Sequence, residues 1–165
     1  MNIRGRAHLL GDNVSTDIHC SGKYLPGKDI AYIAQHAFGQ VAPGFAARFR
    51  QGDIIVAGKN FGINSSREQA VHVMRRMGVA AIVAPSFGRQ FFRNAINNGL
   101  AVVECDISGI ADEDDIAADL AAGRVVLPAR GITREVPPLP PEIQAILAAG
   151  GLTAFLQQHP NWELA

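Results

Sequence analysis

The length, composition and charge of the chain favour one soluble globular domain. It has 165 residues, of which 48% are hydrophobic and 18% are charged, a balance typical of soluble globular proteins. Fifteen basic and fifteen acidic side chains give a formal charge of zero, which argues against nucleic-acid binding because that function needs a basic field.

Short apolar runs alternate with segments at helical spacing. This alternation predicts an α/β fold in which at least part of the sheet is parallel. In chain order we predict strand Ile3–Leu10, helix Lys28–His36, strand Asp53–Ala57, helix Ser66–Met77, strand Val79–Ala84, helix Arg89–Asn98, strand Leu100–Glu104, helix Asp112–Ala121, strands Arg124–Pro128 and Ile132–Val136, and helices Ile143–Ala149 and Leu152–Gln158.

Terminal signals support two of the predicted helices. Arg89–Asn98 is followed by Gly99, a residue suited to a left-handed C-terminal cap. Asp112–Ala121 is rich in alanine and opens with four acidic residues, which favour the positive end of a helix dipole. A proline-rich connector at 137–142 leads to the last helices, and we expect one domain over residues 1–165 with a helical tail at about 140–165.

The stretch Gly58–Ala70, GKNFGINSSREQA, supports two interpretations. Ser65 with Glu68, and Ser66 with Gln69, have the spacing of a capping box that would satisfy free N–H groups of the next helix. The same helix start, together with Arg67, could instead bind a carboxylate or phosphate. The glycine spacing matches neither a phosphate-binding P-loop nor a dinucleotide fingerprint.

Two further stretches are rich in polar side chains. Gly11–Leu25 contains Asp17 and could form only turns, although Asp17 could also orient a cationic or hydroxyl partner. In Pro85–Leu100, Ser86 could cap a surface helix that is packed through Phe91 or Phe92.

Metal binding, disulfides and membrane insertion find little support in the sequence. The two cysteines are 85 residues apart and cannot build a zinc site or a disulfide framework. We therefore expect a reducing, cytoplasmic location and no metal ligand in this chain. No apolar signal region is visible at the start, and no apolar run approaches the roughly 18 residues of a membrane span.

The three stretches, taken in order, resemble the small subunits of isopropylmalate isomerase in the aconitase superfamily. The matching blocks are GDNVSTD with GKYL, then GDIIVAGKNFG with SSRE, then SFGRQFFRNAINNGL and the closing ILAAGGL, and together they cover nearly the whole chain. The resemblance implies an α/β swivelling β/β/α domain of the aconitase fourth-domain type, a mixed sheet with flanking helices.

The resemblance also implies an activity and a partner. The activity is reversible dehydration of a malate-type hydroxy acid, in leucine biosynthesis, by a hydro-lyase active only with a large subunit. That subunit would carry a [4Fe–4S] cluster and form a heterodimer or heterotetramer with this chain, which binds no cofactor itself. The substrate would be a small di- or tricarboxylate, and neither nucleic acid nor membrane would be a partner.

Site residues follow from the matching motifs. Ser65 matches the catalytic base, and Asp17 matches an aspartate that we expect to support it. A serine hydroxyl is a weak base, so its alkoxide needs nearby donors and positive charge. The resemblance also implies substrate-binding residues near Ser65 and Asp17 in the motifs: Ser66, Arg67, Asn64, Tyr24 and Lys23.

The chain departs from the family pattern beside this site. Asn64 stands where the family has glycine and, if the backbone there has a positive φ, asparagine is the least costly ordinary substitute. The SSRE block is unchanged, so the resemblance implies the same type of reaction. The departures leave the substrate open between isopropylmalate and a methylmalate, citraconate, dimethylmalate or homoaconitate type. A non-catalytic dicarboxylate-binding module is the remaining alternative. The departures are Ile63, Asn64, Gln69, His19–Ser21 and Pro26–Gly27.

Overall fold

A mixed seven-stranded sheet organises the fold, as seen in a computed structural model that describes residues 1–162. The strand order is β4-β3-β2-β1-β5-β6-β7, and the fold class expected from the sequence is confirmed. The strands are β1 (Asn2–Leu10), β2 (Ile54–Ala57), β3 (Ala81–Ala84), β4 (Ala101–Glu104), β5 (Asp115–Asp119), β6 (Arg124–Leu127) and β7 (Ile132–Glu135).

Strand β1 joins a parallel half of the sheet to an antiparallel half. Its second part pairs in parallel with β2, from Ala7 opposite Ile54 to Leu10 opposite Ala57. Its first part pairs antiparallel with β5, with Arg6 opposite Asp115. Strands β2, β3 and β4 continue in parallel, while β5, β6 and β7 form a meander.

Helices and short turns connect these strands. Two four-residue helices, α1 and α3, were not predicted because one turn is too short to show helical periodicity. None of the helices within residues 1–162 is long and apolar enough to cross a bilayer. The helices are α1 (Thr16–His19), α2 (Ile30–His36), α3 (Phe45–Arg48), α4 (Glu68–Met77), α5 (Arg89–Asn97), α6 (Pro141–Ala148) and α7 (Leu152–Gln158), with a 3₁₀ turn at Pro128–Arg130.

The core lies between the parallel strands and their helices. Every residue of β2 and β3 is buried, which explains why both are continuous apolar runs rather than alternating ones. Helix α4 buries Ala70, Val71, Val73 and Met74 against this layer. A cluster of fully buried aromatic rings (Phe38, Phe45, Phe61 and Phe91) fills the space beside the carboxyl ends of the strands.

The predicted helix Asp112–Ala121 is wrong, because this segment forms a turn followed by β5. Burial alternates along β5, with Ile116 and Ala118 inside, and this period of two suits a strand beside β1. The acidic run that suggested a helix start contacts other elements instead. Asp112 accepts a hydrogen bond from Leu9 N (2.9 Å), and Asp114 pairs with Arg130 (2.6 Å).

Candidate active site

The three polar stretches follow β1, β2 and β3, and parallel strands place their carboxyl ends at one edge of the sheet. The loops therefore meet there. Gly62 N donates to Val14 O (2.8 Å), and Gly88 N donates to Phe61 O (2.8 Å). A parallel bridge between Phe61 and Phe87 extends the pairing of the second and third stretches beyond the strands.

Hydrogen bonds between side chains also connect the three loops. Asn60 donates through Nδ2 to Asn13 Oδ1 (2.9 Å) and accepts at Oδ1 from Ser86 Oγ (3.3 Å). Ser86 in turn accepts from Asn60 N (2.9 Å), so it does not cap α5 as predicted, and that helix begins after Gly88 without a side-chain cap. These contacts fix the loops relative to one another.

Close backbone approach makes glycine necessary at two positions in these loops. A Cβ atom on Gly88 would lie 2.4 Å from Gly62 O, and one on Gly62 would lie 2.3 Å from the Phe91 ring. Gly62 also has a φ of 77°, in the left-handed region that ordinary side chains avoid. The glycines thus allow the second stretch to lie directly against the start of α5.

Ser65 is buried at the centre of this arrangement, with 3% of its surface exposed. Its Oγ accepts two hydrogen bonds, from Thr16 Oγ1 (2.6 Å) and from Asp17 N (3.2 Å). A hydroxyl that accepts two hydrogen bonds is suited to carry developing negative charge, because both donors stabilise the alkoxide form.

The capping-box interpretation of Ser65 and Ser66 is wrong, since α4 begins two residues later, at Glu68, with Arg67 as its N-cap and no side-chain cap. The side chains counted for the box contact other elements. Glu68 Oε1 accepts from Asn98 Nδ2 (2.7 Å), and Gln69 Oε1 accepts from Gly22 N (2.8 Å). Ser65 is therefore free of a capping role and faces the first loop.

Asp17 and Arg67 lie next to each other beside Ser65. Arg67 Nε is 3.9 Å from Asp17 Oδ2, the outer limit of an ion pair, and about half of the arginine side chain is exposed. The Asp17 carboxylate is buried, and its Oδ1 has no hydrogen-bond partner within residues 1–162. A buried carboxylate oxygen is costly without a partner, and this one can accept a hydrogen bond from water or from a ligand.

Three buried polar atoms in the first loop lack partners among the described residues. They are Ser15 Oγ, Asp17 Oδ1 and His19 Nδ1. Burial lowers the pKa of His19 and outweighs a hydrogen bond to Gln40 that would raise it, so a neutral imidazole is favoured. These three atoms are therefore available for hydrogen bonds to water, a ligand or another chain.

Known proteins match this sequence over nearly the whole chain. The Aconitase C-terminal domain model matches residues 26–107. The 3-isopropylmalate dehydratase small subunit of Moorella thermoacetica is 43% identical over 158 residues, which cover 94% of this chain and 95% of that protein. The chain belongs to the 3-isopropylmalate dehydratase small-subunit family. The resemblance seen in the sequence is thereby confirmed.

The chain is also similar to a solved structure and to a small subunit with a different name. A crystal structure of 3-isopropylmalate dehydratase from Methanocaldococcus jannaschii superposes with a TM-score of 0.88 at 39% identity, covering 97% of this chain and 96% of that one. The methanogen homoaconitase small subunit of Methanothermobacter thermautotrophicus is also 43% identical, over 91% of this chain and 88% of that protein.

The remaining residues that the family resemblance marked for substrate binding differ in exposure and in their contacts. Asn64 and Ser66 are exposed on either side of Ser65, and the φ of 56° at Asn64 is the positive value for which asparagine was expected. Lys23 is exposed, and its backbone N donates to Ser21 Oγ (3.1 Å). The Tyr24 hydroxyl donates to His36 O (3.2 Å), at the end of α2.

Two residues of the site were missed by reasoning from the sequence. Thr16 lies within the family block GDNVSTD, yet only the fold brings its hydroxyl to Ser65. Gln69 was predicted as part of a capping box and noted as a departure from the family, whereas its side chain connects α4 to Gly22 in the first loop. Neither contact leaves a spacing signal, because the paired residues are about 50 positions apart.

The cysteines of this family member do not fit an iron–sulfur cluster. Such a cluster is held by several cysteine thiolates, and the chain has only Cys20 and Cys105. Both are buried, and burial raises the pKa of each thiol, which opposes the thiolate form that a metal requires. Within residues 1–162 no group of three or more histidine, cysteine or acidic side chains is placed to hold a metal ion.

Proposed function

We propose that this chain is the small subunit of a two-chain hydro-lyase that dehydrates and rehydrates a malate-type hydroxy acid, with 3-isopropylmalate as the first candidate substrate. The observation that carries the proposal is the buried Ser65 hydroxyl, which accepts hydrogen bonds from Thr16 Oγ1 and Asp17 N beside the Asp17–Arg67 pair. Family membership supports the same reaction class.

In this proposal Ser65 removes the proton from the carbon next to a substrate carboxylate. The two donors to its Oγ stabilise the alkoxide that acts as base, and the nearby Arg67 guanidinium adds positive charge. Arg67 can hold a carboxylate through two parallel hydrogen bonds. Asp17 keeps the guanidinium near Ser65, and Ser66 and Asn64 present polar groups at the rim of the site.

Lys23 and Tyr24 complete the proposed substrate site in a supporting role. Both follow Gly22, whose backbone N is bound by Gln69, so α4 sets the position of this turn relative to Ser65. From the turn, the exposed Lys23 can offer a positive charge to a second substrate carboxylate. In the same proposal, the Tyr24 ring offers the substrate an apolar surface.

The second chain is a large subunit that carries a [4Fe–4S] cluster, and the two form a heterodimer or heterotetramer. When bound, that cluster supplies Lewis-acid activation of the departing hydroxyl group. The unpartnered atoms of Ser15, Asp17 and His19 mark the part of this chain that such a partner and its substrate would complete. We place the complex in the cytoplasm, consistent with two free buried thiols, and treat residues 1–165 as one swivel-type domain.

Replacement of Ser65 in the reconstituted pair tests the catalytic assignment. Ser65→Ala removes the base, and we expect kcat to fall by at least about a hundredfold, the lower range for loss of general base catalysis. Ser108→Ala is the matched control, because Ser108 is an exposed serine that contacts Asp106 instead. A Ser65→Ala complex with the full rate of the parent complex would refute the role of Ser65.

A homoaconitate-type substrate is the second candidate, favoured by the 43% identity to the methanogen homoaconitase small subunit. Pro26 and Gly27 also stand where the family places residues that sort substrates. Comparison of kcat/KM for 3-isopropylmalate, homocitrate, citramalate and dimethylmalate in one reconstituted complex ranks the candidates. Dicarboxylate binding by this chain alone, with no complex formed, would instead indicate a non-catalytic binding module.

A further inference from the structure

A hollow of about 450 Å³ lies between the edge strand β4 and the segment that follows β7. Val102, Val103 and Glu104 line one side. Consecutive strand residues point to opposite faces of a sheet, so three in a row can line one space only along the edge of the strand. Pro137 and Leu139 lie on the opposite side. None of the proposed catalytic or substrate-binding residues lines this space.

Backbone chemistry keeps the hollow from closing. An edge strand offers unpaired N–H and C=O groups to any extended segment beside it. Pro137 and Pro138 have no N–H to offer, and the donors on either side are already used. Val136 N donates to Gly123 O (2.8 Å), and Leu139 N donates to Leu120 O (2.9 Å). The segment is thus held against the β5–β6 hairpin and cannot form a ladder of hydrogen bonds with β4.

The walls of the hollow are apolar. Phe87 and Phe92 form one wall, with their rings edge to face at 5.9 Å between centroids. Val102, Leu120 and Leu139 contribute aliphatic surface. A hydrocarbon group placed among these side chains would be removed from contact with water. Such burial of apolar surface is the main source of affinity in most small-molecule pockets.

Charge is confined to three lining residues and is unbalanced. Arg89 and Arg93 are one turn apart on α5, where two like charges repel each other. Neither arginine forms an ion pair within residues 1–162, and neither does Glu104. Two cations face one anion, and Arg89 also begins α5, where free amide groups add positive potential.

We propose that this hollow is a second ligand site, for a small monocarboxylate with a branched, linear or aromatic hydrocarbon body. The hydrocarbon fills the apolar interior, and the carboxylate binds Arg89 and Arg93 at the rim. The volume falls in the range of about 300–1,000 Å³ found for small-molecule pockets. A dicarboxylate does not fit, because its second charge would enter apolar surroundings without a partner.

Octanoate binding to the 165-residue chain, followed by NMR of its methyl groups, tests this site. We expect saturable shifts at Val102, Val103, Leu120, Val136 and Leu139. Arg89→Gln combined with Arg93→Gln should raise the Kd about fivefold or more by removing the cations. Glu104→Gln should lower the Kd because it removes a repelling carboxylate. Arg76→Gln, an exposed arginine on α4, is the matched control and should leave the Kd unchanged.

Three outcomes would overturn the proposal. One is the absence of saturable shifts at these methyl groups up to about 10 mM octanoate, a concentration that would reveal even millimolar affinity. A second is equal affinity for 1-octanol, which lacks the charge, because the arginines would then contribute nothing to binding. The third is an unchanged Kd in the double arginine variant, once circular dichroism has verified its fold.

Discussion

Thr16 shows how one hydroxyl can influence the proposed base without contacting the substrate. It is fully buried, and its Oγ1 donates to Ser65 Oγ over 2.6 Å. The bond strengthens as Ser65 gains negative charge, because a hydrogen bond to a charged acceptor is stronger than one to a neutral acceptor. The effect on catalysis should therefore appear in the rate of the chemical step rather than in substrate binding.

Thr16→Val keeps the shape of the side chain and removes the donor. We expect kcat to fall about ten- to a hundredfold with KM nearly unchanged, since one donor to Ser65 remains at Asp17 N. Steady-state kinetics of the reconstituted complex measure this split. Thr153→Val, at an exposed threonine on α7, should match the parent complex. A rise in KM at constant kcat would point to substrate binding instead.

Asn64 sits in a backbone conformation that few residues accept. With φ at 56°, a β-branched side chain would meet steric strain of about 1–2 kcal/mol, whereas glycine would not. We expect Asn64→Val to lower the free energy of unfolding by that amount and Asn64→Gly to change it by less than about 0.5 kcal/mol. Urea unfolding of the three proteins measures both. Equal losses in both variants would show that the asparagine amide, rather than the backbone, is important.

At the scale of elements, a buried polar contact joins β1 to the start of β2. His8 Nε2 lies 2.7 Å from Asp53 Oδ2, and the same carboxylate accepts from Arg50 N (2.9 Å) and Arg6 N (3.3 Å). Burial alone would raise the pKa of Asp53, but these hydrogen bonds outweigh it and hold the pKa below its ordinary value.

A depressed carboxyl pKa makes stability depend on pH in one direction. The contribution of ionised Asp53 is complete above its unfolded pKa of about 3.9 and is lost as the pH falls through the lower folded value. Asp53→Asn should therefore destabilise the fold at neutral pH and flatten the loss of stability on acidification below about pH 5. Thermal unfolding from pH 7 to 2 checks this, with Glu135→Gln on the exposed face of β7 as the control. An unchanged acid profile would contradict the assignment.

The strands and the longer helices of the parallel half were predictable, while the one-turn helices α1 and α3 and one element of the antiparallel half were not. Strands β2, β3 and β4 are continuous apolar runs, and α4 carries a clear apolar face, so local pattern alone identified them. Asp112–Ala121 combined good helix formers with an acidic start. Pairing with β1 overrode that local preference, because strand β5 buries Ile116 and Ala118 in the sheet.

At the scale of the whole molecule, the chain should be inactive alone and active with its large subunit. Co-expression with a large subunit should yield a stable complex with the brown colour of an iron–sulfur cluster. The chain purified alone should be colourless, since two buried cysteines cannot ligate such a cluster. Absorption spectra and activity of the two preparations measure this. Full activity of the isolated chain would contradict the two-chain proposal.

The sequence by itself determined the α/β class, most element positions and the motif residues Asp17, Ser65, Ser66 and Arg67. These depend on local periodicity and on short motifs, which a single chain carries in order. Only the tertiary structure decided that Thr16 and Asp17 N bind Ser65, that Ser65 caps no helix, and that a hollow opens beside β4. Such contacts join residues far apart in sequence, and they exist only once strand pairing brings the loops to one edge of the sheet.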